Sequence, residues 1–248
     1  MKILVCLGHV PDTTAKVKFI EGKSFDKSGV QWIINPWDEY ALTRAIELRE
    51  DPGNSVGSVT VITVGGKDTE PTIRKALAIG ADDAVRIDAE PSDSWFVAFQ
   101  IAEAVKDKGF DIIFAGTDSS DYNGSMTGGM LAGFLGIDAV SAVSGIVIKE
   151  NEIEITRDID GGRELLSAGS PLVVVVHKGI AGEVRIASMR GIMTARKKEL
   201  SVIAPASVEP VTEYESFELP KPKPPCRMVK SDNVAELVDL LQNEAKVI

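Results

Sequence analysis

The chain has 248 residues, enough to bury a sizeable core as one large domain or two small ones, and its 44% apolar and 26% charged residues are ordinary for a soluble globular protein. A net charge of −10 argues against a general nucleic-acid-binding surface and against attraction to an anionic membrane face. Two cysteines (Cys6, Cys226) and two histidines (His9, His177) supply no disulfide framework and no metal-ligand spacing.

The first residues, MKILVCLG, read as a buried strand over 3–7 rather than a secretory signal. No run reaches the ~20 apolar residues of a membrane span. The expected location is cytoplasmic. Residues 16–34 alternate weakly between breaks at Gly22 and Gly29 and read as a hairpin-like excursion. Asn35, Pro36, Trp37 and Asp38 are a helix start. Asn35 is a good N-cap, Pro36 suits the first helical position, and Asp38 lies three residues on, as in a capping box. That helix is expected to reach residue 50 with Trp37, Ala41, Ala45 and Leu48 on one face. A strand over 59–64 opens into a small polar loop, Gly65 to Thr69. A helix over 71–79 ends at Gly80, a strand takes 84–87, and a helix over 94–108 ends at Gly109.

Residues 110–136 carry the densest signal. FDIIFAG is a strand buried on both faces, TDSSDYNGSMTGG is a polar small-residue loop, and MLAGFLG is a helix closed by Gly136. Most strand-to-helix connections take about 2–6 residues, so the stretch from Thr117 to Gly129 is longer than a turn needs. It opens a helix N-terminus, where backbone amides and partial positive charge suit a phosphate. Strands alternating with helices imply a parallel sheet covered on both faces. Ligands of such sheets bind beyond the carboxyl ends of the strands, where Cys6 to His9, Gly65 to Asp68 and Gly116 to Thr127 converge.

After Ile137 the character changes. Residues 142–149 and 152–157 are β runs around a polar turn at Glu150 and Asn151, with another turn at Asp160, Gly161 and Gly162. Residues 171–176 are a continuous Val strand, and 178–185 look mobile. A Met-containing stretch leads into the basic Arg196, Lys197 and Lys198. A Pro-rich segment from Leu219 to Pro225 precedes a last helix, capped by Ser231, with Val234, Leu237, Val238 and Leu241 on one stripe. Residues 1–204 are thus expected to form an α/β domain, and the resemblance described below implies that it binds a nucleotide. Residues 205–248 are expected to be an arm whose amphipathic helix docks on the chain's own domain or on a partner subunit.

The chain lacks G-x-G-x-x-G after its first strand, a P-loop and a G-x-S-x-G elbow. Asp118, Asp121 and Asp160 sit beside glycines or in small-residue loops as turn or cap residues, and His9 reads as a loop histidine. Nothing commits the chain to catalysis by side chains.

Several stretches, in order along most of the chain, resemble the β subunit of electron transfer flavoprotein. They are the first strand with Val10, Pro11 and Asp12; Asn35 to Glu39; Thr72-Ile-Arg-Lys-Ala-Leu-Ala-Ile-Gly-Ala-Asp82; the Gly116 loop; Arg157 to Gly162; and Arg185 to Met193 before a basic run. The resemblance implies an α/β fold with a Rossmann-like, mostly parallel sheet and helices on both faces (adenine-nucleotide α-hydrolase-like), plus an extended C-terminal arm. It implies an electron-carrier subunit, not an enzyme. The partner would be an α subunit holding most of a shared FAD, with AMP in this chain. Carried over, the AMP contacts are Cys6, Asn35, Pro36, Trp37, Asp38, Gly65, Gly116, Thr117, Asp118, Ser119, Asp121, Asn123, Ser125, Met126 and Thr127. Thr13, Trp37 and Asp158 match positions near the partner's FAD. Arg185, Met189, Ile192 and Met193 match the loop that recognises partner dehydrogenases. Electrons would pass from acyl-CoA dehydrogenases of fatty acid β-oxidation to a quinone oxidoreductase. One rival is a bifurcating form with a second FAD, fed by NADH, in place of AMP. A rival of another class is a stand-alone adenine-nucleotide hydrolase. The sequence departs from the resemblance where Thr127 and Gly128 are kept but the Asn and Gln that usually precede them are replaced by Ser125 and Met126, and where Ala181 to Val184 lack the usual Asn-Glu-Pro.

Overall fold

Strands with no apolar–polar alternation become the centre of the sheet. The computed structural model describes residues 1–149, 152–223 and 225–248. Strand β1 (Lys2–Cys6) leads to β2 (His9–Pro11), a small hairpin of β3 (Phe19–Ile20) and β4 (Ser24–Phe25), and β5 (Trp32–Ile34), which pairs antiparallel with β2. Helix α1 (Pro36–Glu50) returns to β6 (Ser58–Val64), α2 (Glu70–Ile79) to β7 (Asp83–Ile87), α3 (Ser94–Val105) to β8 (Ile112–Gly116), and α4 (Thr127–Leu135) to β9 (Asp138–Ile148). Then come β10 (Ile153–Ile159), β11 (Gly162–Ala168), β12 (Leu172–Val176), α5 (Met189–Ala195), β13 (Leu200–Ile203) and α6 (Val234–Asp239).

One nine-stranded sheet runs β11-β10-β9-β12-β8-β1-β6-β7-β13. Every pairing from β9 across to β13 is parallel, and only β9–β10 and β10–β11 are antiparallel. Val5 lies beside Val61 on one side and Phe114 on the other. Alternate residues of β1 point to opposite faces, so Ile3 and Val5 join a core with Leu42 and Ile46 of α1 and Ile73 and Leu77 of α2. Leu4 and Cys6 join a second core with Ile101 of α3 and Leu131 of α4. Burying each Leu or Ile contributes about 1.5–3 kcal/mol, so two covered faces supply most of the drive to fold. The expected α/β architecture is therefore present.

Some expectations need correction. Trp37 is half-buried and does not share the core face of α1, which is Ala41, Leu42, Ala45, Ile46 and Leu48. Helix α3 ends at Val105 rather than residue 108, and Gly109 turns the chain with φ +65°. Strand β9 starts at Asp138, four residues earlier than expected. Strand β11 was not anticipated: it lies at the sheet edge, and its exposed charges hide the β pattern. The stretch 178–185 is anchored, because Ile180 and Ala181 are buried and the Arg185 guanidinium donates to both Glu50 oxygens at 3.0 and 2.6 Å. Asn233, not Ser231, caps α6, its side chain accepting from Glu236 N. The turn expected at Glu150 and Asn151, and Pro224 of the Pro-rich segment, lie outside the described residues.

Candidate functional site

The shared direction of β1, β6 and β8 brings their carboxyl ends to one edge of the sheet. A cavity of about 490 Å³ lies there, within the size range of small-molecule sites. Of the residues expected at a nucleotide, Cys6, Asn35, Asp38, Gly65, Gly116, Thr117, Asp118, Ser119, Asp121, Ser125, Met126 and Thr127 line it. Pro36, Trp37 and Asn123 do not line it, whereas Thr13 does.

The wall is held by the two polar residues that open α1. Asp38 is 5% exposed, and its Oδ2 accepts from Gly8 N at 2.7 Å while Oδ1 accepts from Gly116 N at 2.9 Å. Asn35 donates from Nδ2 to Asp118 O at 2.8 Å and accepts from Ser120 N at 3.2 Å. The capping box read from the sequence is not made. Asn35 gives α1 no side-chain cap, and its carbonyl accepts from Asp38 N and Glu39 N instead. The physical reason is competition: amides at the buried strand ends need partners more than a helix start whose first residue, Pro36, has no N–H. Burial pushes the Asp38 carboxyl up to about 7, despite its donors at Gly8 and Gly116 and the Asn35 side chain. Burial also raises the Cys6 thiol well above its usual range, so it is an inert wall residue.

Gly116 is required by close approach. A Cβ there would overlap Asp38 Oδ1 and the Trp37 Cβ, and one at Gly65 would overlap Thr69 Cγ2. Between β8 and α4 the backbone enters the left-handed region at Asn123 and Ser125, each with φ 50°. Such strain costs about 1–3 kcal/mol per residue and is typical of ligand loops. Helix α4 then begins at Thr127, and Met126 at its N-cap position gives no side-chain cap, which leaves its first-turn amides for a bound group. His9 adds a polar atom that the sequence reading set aside. Its ring stacks on Trp32 at 4.5 Å, its Nδ1 meets Thr72 Oγ1 at 2.8 Å, and its buried Nε2 has no partner among the described residues. Burial lowers its pKa, so the ring is neutral at pH 7. The uncapped amides at the start of α4 and the small polar residues of the 117–127 loop, all beside the cavity, suit an anionic ligand.

A second cluster stands apart from the cavity lining. Trp37 stacks on His177 at 5.4 Å, and His177 Nδ1 lies 3.3 Å from Asp158 Oδ2. Asp158 Oδ1 accepts from Ser144 Oγ at 3.0 Å and Arg163 Nε at 3.2 Å. The Ser144 bond, with those from His177 and Arg163, holds the carboxyl below its usual range. Trp37 and Asp158, far apart in sequence, are thus joined by His177. The sequence signal for His177 was its place just after the Val strand, beside the carboxyl end of β8.

A family model described as "Electron transfer flavoprotein domain" matches residues 23–208. The chain belongs to the electron transfer flavoprotein family. It is similar over its whole length to the electron transfer flavoprotein subunit beta of Bacillus subtilis, at 33% identity over 262 residues and all of that relative. The subunit beta of Syntrophomonas wolfei is 31% identical over 251 residues, covering the whole chain and 98% of the relative. That of Dictyostelium discoideum is 30% identical over 251 residues, covering the whole chain and 99% of the relative. An electron-carrier subunit, not an enzyme, is what the membership gives.

In this electron transfer flavoprotein chain the third set of expected residues forms an apolar patch around α5. Ile186, Met189 and Met193 are 92%, 77% and 71% exposed, and Ile192 is also exposed. Arg185 is not free beside them, being committed to Glu50. Among the described residues no cluster of three His, Cys, Asp or Glu could hold a metal ion, and no helix is long and apolar enough to cross a membrane.

Proposed function

We propose that the chain works as the β subunit of a heterodimer with an α subunit, and that it holds AMP in the cavity at the strand ends. The observation that carries this reading is the cavity at the carboxyl ends of β1, β6 and β8, walled by the polar 117–127 loop and the uncapped start of α4. The phosphate would take the amides of the 117–127 loop and α4, with Ser119, Ser125 and Thr127 as hydroxyl donors. Asn35 and Asp38 would fix the loops rather than touch the ligand, because their polar atoms are already bonded within the chain.

The FAD shared with the α subunit supplies the redox chemistry. On this side Trp37 would offer a flat apolar surface, and His177 with Asp158 would place hydrogen-bonding and negative groups beside it. Thr13 would approach the same cofactor from the cavity rim. The exposed methionines of α5 would dock donor dehydrogenases, acyl-CoA dehydrogenases among them, since a flexible thioether side chain adapts to several partners. The acceptor would be a quinone oxidoreductase and the site of action the cytoplasm. Residues 1–204 would supply the α/β body of the nucleotide-binding domain. The stripe of Val234, Leu237 and Val238, exposed on α6, would dock on the α subunit at the end of an arm whose first part, 206–217, packs on the α/β body.

A second reading, a bifurcating subunit with FAD in place of AMP, draws on one observation. The same cavity extends to Phe19, Phe25 and Trp32, which would suit a longer ligand with an aromatic ring system. Co-expression with the α subunit tests the function. A one-to-one complex with flavin absorbance, reduced by an acyl-CoA dehydrogenase and not by NADH, is expected. Reduction by NADH would favour the second reading, and a chain that stays apart from α without flavin would overturn both.

A further inference from the structure

The stretch just after β13 does not leave the body of the chain. Gln100, buried in α3, pairs both ways with Ala206, donating to its carbonyl at 2.8 Å and accepting its amide at 2.7 Å. Val208 packs against the core beneath α3. Asp93 then holds the chain with one oxygen: Oδ2 accepts from Val211 N at 2.9 Å, Thr212 N at 2.8 Å and Thr212 Oγ1 at 3.0 Å. Its other oxygen, Oδ1, accepts from Phe96 N at 2.7 Å as the N-cap of α3. Beyond this latch the chain meets both rims of the cavity. Tyr214 stacks on Tyr122 of the 117–127 loop with ring centroids 4.8 Å apart. Phe217 stacks on Phe19 at 5.1 Å, and its amide donates to Gly22 O at 2.8 Å. Tyr122, Tyr214, Phe217 and Phe19 all line the cavity.

We propose that residues 206–217 are a strap, latched at Asp93, that roofs the cavity and sets how fast a bound adenine nucleotide leaves. The inference rests on the reading that this cavity holds such a nucleotide. The strap ties the phosphate-side loop, through Tyr122, to the β3–β4 hairpin, through Phe19 and Gly22. These two segments belong to no common sheet, and a ligand between them is enclosed only while the strap joins them. The Asp93 carboxylate suits a latch because one ionised oxygen accepts three donors from two successive residues. Beyond it the strap is held by ring stacking and the single Phe217 N–Gly22 O bond, contacts that can part and re-form as a closure requires. Tyr214 and Phe217 are therefore binding-site residues contributed from outside the α/β alternation.

Asp93→Asn separates the latch from the cap. Asn is as good an N-cap as Asp, so Phe96 N keeps its acceptor. The side-chain NH₂ then faces the Val211 and Thr212 donors and cannot accept from them. The heterodimer would be loaded with radiolabelled AMP and chased with unlabelled AMP, and amide exchange would be read over 211–217. Asp93→Asn should speed AMP release at least tenfold and raise exchange in 211–217 while the first turn of α3 stays protected. Tyr214→Ala should speed release with Asp93 intact. The strap is refuted if 211–217 become unprotected yet AMP release stays within twofold of wild type. The latch is refuted if Asp93→Asn leaves those amides protected. A wild-type heterodimer that takes up neither AMP nor FAD at this cavity would instead refute the reading on which the strap rests.

Discussion

Asp38 ties together the ends of two neighbouring strands, β1 and β8, beyond their last paired residues. Its two oxygens each satisfy one backbone amide, from Gly8 and Gly116. Asp38→Ala leaves both donors without that acceptor, and a buried unsatisfied group costs about 1–3 kcal/mol. The heterodimer should lose about 2–4 kcal/mol in urea unfolding at pH 6. The same carboxyl predicts a pH dependence. Burial raises its native pKa to about 7 from the ordinary 3.8, so the native state binds the proton more tightly than the unfolded chain. The contribution is then full below about pH 4 and is lost as pH rises through about 7. Stability should fall across that window, and this component of the slope should vanish in Asp38→Ala. Gly116 makes a complementary prediction. Gly116→Ala puts a methyl into Asp38 and Trp37, and such overpacking costs about 1–3 kcal/mol. Bound nucleotide should fall with it, measured as nucleotide per heterodimer. Asn35 and Asp38 were legible as a helix start, because capping chemistry is local. That they bond to residues 8, 116, 118 and 120 instead was not, because those amides become neighbours only once the sheet has formed.

Helices α2 and α5 cap one another. Arg74 of α2 donates to Ala195 O and Lys198 O at 2.8 Å each, at the end of α5. Lys198 Nζ returns to Leu77 O at 3.0 Å, near the end of α2. Gly191 lets the two helices touch, since a Cβ there would meet Ala78 O. Hydrogen bonds from a charged donor contribute about 1.5–3 kcal/mol each. Arg74→Met should therefore raise amide exchange across 189–195 and weaken dehydrogenase docking while leaving bound AMP in place. The alternation of strands and helices was readable, because strands buried on both faces are unbroken apolar runs such as LVVVV at Leu172–Val176. Strand β11 was not, since Arg163 and Glu164 read as loop and only the register against β10 makes them a strand. The α6 cap was misplaced by two residues because Ser231 and Asn233 offer the same local chemistry.

At the scale of the whole molecule, one geometric fact organises the rest: parallel strands bring residues 6, 65 and 116 to a single edge. That much followed from sequence, and so did the cavity's polar loops. The aromatic roof from residues 214 and 217 did not, because a segment with no periodicity gives no sign of where it folds back. Helix α6 carries the opposite case: its expected apolar stripe is exposed at Val234, Leu237 and Val238, and Leu241 lies beyond the helix's end at Asp239. Leu237→Asp should change the stability of the body of the chain by no more than about 0.5 kcal/mol, as a surface substitution does. It should still lower the yield of heterodimer in co-purification with the α subunit. The central claim, that the strand-end cavity is an adenine-nucleotide site, is tested most directly by denaturing the purified heterodimer and identifying the released nucleotides by mass spectrometry against protein. One AMP and one FAD per heterodimer is the predicted result, with AMP lost in Gly116→Ala. Release of FAD at one per heterodimer with no second adenine nucleotide of any kind would contradict it.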